Sequence, residues 1–86
     1  MGQAPLTSAQ IRAARALLRW SAEQLASASA LGVTTIRRAE LTESETSLTA
    51  ANDLAVRRAL EAAGVDFIEE NGGGAGVRLR KGSKLA

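Results

Sequence analysis

The side chain in this sequence best suited to chemistry is arginine. Lys and Arg number 11 in the 86-residue chain, and nine of these are Arg. Arg12, Arg15 and Arg19 follow one another at spacings of three and four, and Arg37 and Arg38 are adjacent. A guanidinium can pair with guanine through two hydrogen bonds or bind a phosphate. A charge pair by itself is more often a solvated helix face, so the surrounding elements must decide between these interpretations.

The residue types that are missing exclude several classes of site. The chain has no Cys, His or Tyr. Disulfides, thiolate or imidazole zinc sites, a cysteine nucleophile and a histidine general base are therefore ruled out. No nucleophile motif is present, and no Gly-rich phosphate loop follows a predicted strand. We expect a protein that is not an enzyme and that needs no metal ion or cofactor.

Composition predicts one small helical domain. Apolar residues make up 45% of the chain but aromatic residues only 2%, so Trp20 and Phe67 are the only large rings in a thin core. The net charge of +2 says little about partners. No apolar run reaches membrane-spanning length, and the first residues do not resemble a signal peptide. We expect a cytoplasmic protein without membrane contact.

Two capping signatures predict the first two helices. Thr7 is followed by Gln10 three residues later, and Ser21 is followed in the same way by Gln24. In such a capping box, the hydroxyl residue is the N-cap and the Gln side chain returns to its backbone. The sequence therefore predicts one helix from about residue 7 and a second over residues 21–28.

Helical periodicity predicts two more helices. After a short break, residues 32–41 place Ile36 and Ala39 on one face. Two short helices joined by a tight turn form a helix-turn-helix. A longer helix starts at Ser47 or Thr49 and runs to residue 63, where Gly64 can take the left-handed conformation that ends helices.

The C-terminal part of the chain predicts a small β-hairpin. Residues 65–68 and 77–80 alternate apolar and polar side chains on either side of a Gly-rich loop. Because a lone two-stranded hairpin is only marginally stable, its apolar face must be covered. Either its own helices or a second copy of the chain could cover Val65, Phe67, Val77 and Leu79.

These elements predict a mainly α fold with four segments. Residues 1–6 are expected to be a flexible N-terminus, and residues 7–63 a four-helix domain containing the helix-turn-helix. Residues 64–80 form the β-hairpin, and residues 81–86 a basic tail.

Two stretches of the chain carry a family resemblance. Residues 10–26 read QIRAARALLRWSAEQLA, and residues 35–40 read TIRRAE. Together they resemble the Cro and lambda-repressor type of bacterial helix-turn-helix regulators, also called XRE-like. Residues 62–80 look like the C-terminal end of short alphaproteobacterial members. The resemblance implies a lambda-repressor-like domain and a DNA-binding transcriptional regulator, of the repressor kind.

The resemblance also implies roles for individual residues. It places the start of the second motif helix against base edges in the major groove. Arg15 and Glu40 correspond to an ion pair that closes the recognition helix. The DNA-binding residues implied are Val33, Thr34, Arg37 and Arg38, with Arg12 and Arg19 available for phosphate or solvent.

Three residues depart from the family pattern. Ala22 replaces a hydrogen-bonding side chain, Ala30 stands where Gly is usual, and Gly32 stands where Ser or Thr usually caps. A left-handed Ala costs on the order of 1 kcal/mol, whereas a Gly N-cap is tolerated.

Two functions remain open at this point. The first is a homodimeric regulator of double-stranded DNA whose two recognition helices lie about 34 Å apart on an inverted-repeat operator. The second is a helix-turn-helix module that binds another transcriptional regulator and has weak or no DNA binding.

Overall fold

The computed structural model describes residues 4–42 and 45–81, and this part of the chain folds into four helices and one hairpin. The helices are α1 (Ser8–Leu18), α2 (Ala22–Ser29), α3 (Val33–Ala39) and α4 (Ala50–Ala62). The strands are β1 (Val65–Ile68) and β2 (Gly76–Leu79). The predicted mainly α fold with a C-terminal β-hairpin is confirmed.

Local hydrogen bonds explain where the helices begin. The Thr7 hydroxyl accepts from the Gln10 backbone N–H, and the Gln10 side chain accepts from the Thr7 N–H. Ser21 and Gln24 make the same reciprocal pair before α2. Before α4, the cap is Thr49 rather than Ser47, because the Thr49 hydroxyl accepts from the backbone of the third helical residue. Both predicted capping boxes are confirmed.

A single core joins the helices to the first strand. Its fully buried large side chains come from α1, α2, α3, α4, β1 and the segment before α1. They are Leu6, Ile11, Leu25, Ile36, Val56, Leu60 and Val65. Trp20 and Phe67, the two large rings, are only half-buried and pack around this core. Aliphatic burial therefore supplies most of the driving force for folding.

The hairpin packs against its own helices. β1 and β2 are antiparallel, with Val65 opposite Leu79 and Phe67 opposite Val77. Val65 is fully buried, and the other three apolar residues are half-buried against the core. The chain's own helices therefore cover part of this face, and covering by a second copy stays a prediction. β2 begins and ends one residue earlier than the sequence predicts.

Gly64 makes the connection between α4 and β1 possible. Its φ is +110°, a conformation that residues with a Cβ rarely adopt. The Gly64 carbonyl accepts from the Arg80 N–H at 2.7 Å, which ties the end of β2 to the turn. The predicted helix stop at this glycine is confirmed.

Residues 4–6, part of the segment predicted to be a flexible N-terminus, contact α4 and the residue that follows β1. The Ala4 N–H donates to Glu69, and the Leu6 N–H donates to Asp53 Oδ1 at 3.0 Å. The Ala4 carbonyl accepts from Arg57 at 2.7 Å. Leu6 is 1% exposed. Burial of an apolar residue directly before the N-cap fixes the entry of the chain into α1, as in a hydrophobic staple.

Arg57 of α4 binds the segment of residues 4–6 through the Ala4 carbonyl. Its side chain is buried on α4, and its guanidinium lies 5.3 Å from the centroid of the Phe67 ring. Within the described residues it forms no ion pair, so the carbonyl of Ala4 and the ring are its partners.

Some predicted segments fall outside the described residues. These are residues 1–3, residues 43 and 44 of the predicted loop, and residues 82–86 of the predicted basic tail. Among the helices of the described part, none is both long and apolar enough to cross a membrane.

Candidate nucleic-acid interface

α2 and α3 form the predicted helix-turn-helix. Ala30 is the C-cap of α2, and its backbone is left-handed with φ 60° and ψ 34°. Gly32 is the N-cap of α3. Leu25, Ala26 and Ile36 are buried between the helices and the core, whereas Leu31 is half-buried. The small Ala26 permits close approach of the helices, and the aliphatic residues fix the crossing.

The two faces of α3 differ sharply. Ile36 and Ala39 are no more than 1% exposed, so this face is part of the core. Thr34, Arg37 and Arg38 are exposed on the other side. Val33, also expected to contact base edges, is half-buried and packs against the core, so its contact with bases stays a prediction. The exposed face therefore offers one hydroxyl and two guanidinium groups.

The two adjacent arginines have different surroundings. Arg37 Nη2 donates to Glu23 Oε2 in the first turn of α2, and both side chains are about 60% exposed. Arg38 makes no hydrogen bond or ion pair with any described residue. The pair thus consists of one tethered arginine and one arginine available to solvent.

The C-terminal end of α3 is tied to α1. Arg15 Nε and Nη2 donate to the two carboxylate oxygens of Glu40 at 2.7 and 2.8 Å. A third donor, Arg15 Nη1, reaches the Trp20 carbonyl at 2.8 Å. Glu40 is only 9% exposed. The predicted ion pair is therefore present, and it is bidentate and largely shielded from water.

This geometry holds Arg15 in its charged form. The hydrogen bonds to Glu40 raise the pKa of Arg15 above its ordinary value, although burial of the guanidinium opposes the rise. The negative charges of Glu40 and Glu23 add to it. Because the folded-state pKa of Arg15 is raised, the contribution from its charge is present below the unfolded pKa and is lost as strongly alkaline pH passes through the folded value.

Two further side chains of α1 bind the same helix end. The Arg12 guanidinium donates to the Glu40 carbonyl, and the Ser8 hydroxyl donates to the Ala39 carbonyl. One Arg12 donor is thus used within the chain, and phosphate contact by this exposed side chain stays a prediction. Carbonyls at a helix end lack intrahelical partners, so these bonds satisfy them.

Arg19 is separate from this cluster. It is exposed at the end of α1, where its own backbone is left-handed with φ 58°. None of the described hydrogen bonds or ion pairs involves its side chain. The structure thus brings Arg12 and Arg15 together at Glu40 and leaves Arg19 apart.

Sequence reasoning missed Ser8 and Glu23. Ser8 lies three residues before Ile11 and so shares its inward face, a signal that the capping box next to it concealed. Glu23 gives no local signal, since its partner Arg37 is 14 residues away and only the fold brings them together.

Comparison with known proteins adds no assignment. No protein-family model matches the chain, and no curated protein matches it. The functional argument therefore depends on the residues and their geometry.

Proposed function

We propose that this chain is a sequence-specific, double-stranded DNA-binding transcriptional regulator of the Cro and lambda-repressor type. The observation that carries the proposal is the exposed face of α3, which presents Thr34, Arg37 and Arg38 while the opposite face is buried. The major groove admits one α-helix, and Arg is the commonest reader of guanine there. Anchoring of the helix end by α1 fixes the direction in which this face points.

The proposed regulator acts as a homodimer on an inverted-repeat operator. One seven-residue helix contacts few base pairs, and a twofold axis doubles the contact. The apolar face of the hairpin is already partly covered within the chain, so a dimer contact by the hairpin can also use a strand edge or the outer face. An antiparallel hairpin leaves each strand with one unpaired edge, which suits such a contact.

Substitution of Arg38 tests the DNA proposal. Arg38→Ala removes an exposed guanidinium without touching the core, so the fold should be retained while DNA affinity falls by about tenfold or more. Arg58→Ala is the matched control, because Arg58 is exposed on α4 and has no described partner. The measurement is a gel-shift titration at several salt concentrations, with circular dichroism as the fold check.

The titrations at several salt concentrations also show which results would contradict the DNA proposal. If Arg38 contacts a base or a phosphate, Arg38→Ala lowers the affinity, and if the contact is to a phosphate, the substitution also reduces the salt slope by about one. If the wild-type protein binds no duplex even at low salt, the DNA proposal fails. If Arg38→Ala and Arg58→Ala bind equally well, α3 is not the reading helix.

One observation favours the second candidate, a module that binds another regulator. Leu41, directly after the helix end at Glu40, is 81% exposed and is the most exposed large apolar residue of the described part of the chain. The buried cores of protein interfaces are more apolar than the rest of the surface and depleted of charged residues. A protein of this class would lose partner binding on Leu41→Glu while Arg38→Ala had no effect.

A further inference from the structure

The two helices of the helix-turn-helix are joined by an ion pair between Glu23 of α2 and Arg37 of α3. Both side chains are about 60% exposed, so solvent screens the pair and it adds little to folding stability. The pair instead holds the Arg37 side chain in one position. A long, flexible arginine loses rotamer freedom when it binds, and a pair formed beforehand removes part of that cost.

The pair leaves most of the guanidinium available. Glu23 accepts from Nη2 alone, and no other described group accepts from Arg37. A guanidinium has five N–H donors in a planar fork, so a held Arg37 still presents donors to an acceptor in front of α3. Guanine offers two acceptors, O6 and N7, that match this fork.

The carboxylate of Glu23 also has an effect of the opposite sign. It is exposed beside the face proposed to meet DNA, so it repels phosphates of any sequence. A single residue thus orients one base-reading side chain and weakens sequence-independent binding. The positioning of Arg37 raises the ratio of specific to non-specific affinity, which is the quantity that matters among many competing sites, whereas the repulsion weakens binding to both kinds of site.

We propose that Glu23 is a specificity-determining residue that positions Arg37 for one guanine in each half-site, while its charge weakens the attraction to DNA phosphates of every sequence. The inference rests on the proposed DNA-binding function. It also assigns different roles to Arg37 and Arg38, since Arg38 has no carboxylate partner among the described residues.

The test is a double-substitution cycle on two duplexes. One duplex is the site enriched by the wild-type protein from a random library, and the other is a scramble of the same composition. Dissociation constants are measured for wild type, Glu23→Gln, Arg37→Ala and the double variant. Glu70→Gln, an exposed carboxylate on the hairpin side without a described partner, is the charge-matched control.

The expected change is in the ratio of the two affinities. Glu23→Gln should tighten binding to the scramble and lower the ratio of specific to scrambled affinity by about two- to fivefold, in line with the coupling of exposed ion pairs. The same change in the Arg37→Ala background should leave that ratio unchanged. Replacing one guanine per half-site should cost the wild type more than it costs Glu23→Gln.

Two results separate this inference from the proposed function. If the wild type enriches no sequence, the DNA-binding function fails, and the role of Glu23 fails with it. If the wild type enriches a site but Glu23→Gln changes both affinities by the same factor, Glu23 acts only as a charge and the inference alone is overturned. A selected site without guanine in each half overturns it as well.

Discussion

At the scale of single residues, the polar contacts around α3 divide into those that sequence could indicate and those that only folding creates. The Arg15 and Glu40 pair spans 25 residues, so no local spacing reveals it; the family resemblance supplied it. The contribution of Ser8 follows from its helical position on the apolar face. The tether between Glu23 and Arg37 depends on the crossing of two helices, which no residue pattern specifies.

The Glu40 carboxylate should be the most sensitive acidic group in this region. Glu40→Ala leaves the partly buried Arg15 without its two acceptors, and we expect a loss of about 2 kcal/mol in the free energy of unfolding. For a domain of this size, the melting temperature should fall by about 10 °C. Glu45→Ala, at an exposed position, serves as control and should be near neutral.

Thermal and urea unfolding of both variants measure this difference. Equal melting temperatures for Glu40→Ala and Glu45→Ala would show that the ion pair between Arg15 and Glu40 does not stabilise the fold. Since the Arg15 pKa is raised rather than lowered, the difference should not vanish between pH 7 and 9, where the arginine stays charged.

At the scale of elements, the helix starts were predictable because capping is a local interaction of about four residues. Thr7 and Ser21 each carry the whole signal in the sequence beside them. The turn after α2 was predictable only in part. Ala30 was recognised as unusual at a left-handed position, but the structure was needed to show that its φ is 60°.

The left-handed alanine predicts a stabilising substitution. Ala30→Gly removes the Cβ that is strained at positive φ, although glycine also gains freedom in the unfolded chain. We expect a net gain of about 0.5–1 kcal/mol in the free energy of unfolding. The control is Ala28→Gly, at an exposed position inside α2, which should lose about 1 kcal/mol.

Urea unfolding of the two glycine variants checks the prediction. A loss of stability in Ala30→Gly comparable with that in Ala28→Gly would show that the left-handed turn carries no strain. DNA binding by Ala30→Gly should match the wild type, since the substitution does not alter the exposed face of α3.

At the scale of the whole molecule, alternation indicated the strands but not what their apolar face contacts. Alternation of apolar and polar residues shows which side of a strand is apolar. What that side packs against depends on the direction in which the chain leaves α4. The bend at Gly64 turns β1 back onto the helices, and Val65 directly follows it into the core. The burial of Leu6 was missed for a related reason, because a single apolar residue outside a periodic run carries no pattern.

The position of Val65 makes the hairpin part of the fold. Val65→Ala removes buried methyl groups from a side chain with no exposure and should cost about 2 kcal/mol. Val77→Ala, on the facing strand and half-buried, should cost clearly less. Urea unfolding at two protein concentrations measures both variants and shows whether stability depends on association.

The concentration series distinguishes intramolecular packing from assembly. Stability of Val65→Ala equal to that of wild type would mean that the hairpin docks only loosely. A midpoint that rises with protein concentration supports the proposed homodimer. An unchanged midpoint means that the protein is monomeric at both concentrations.

The attachment of α3 at one end has a consequence for local unfolding. Ser8, Arg12 and Arg15 fix the end near Glu40, but Gly32 supplies no side-chain cap at the other end. The free energy of opening should therefore decrease along the helix towards its first turn. In the proposed complex with DNA, the turn that carries Thr34 would adjust to the groove while the anchored end keeps the helix in register.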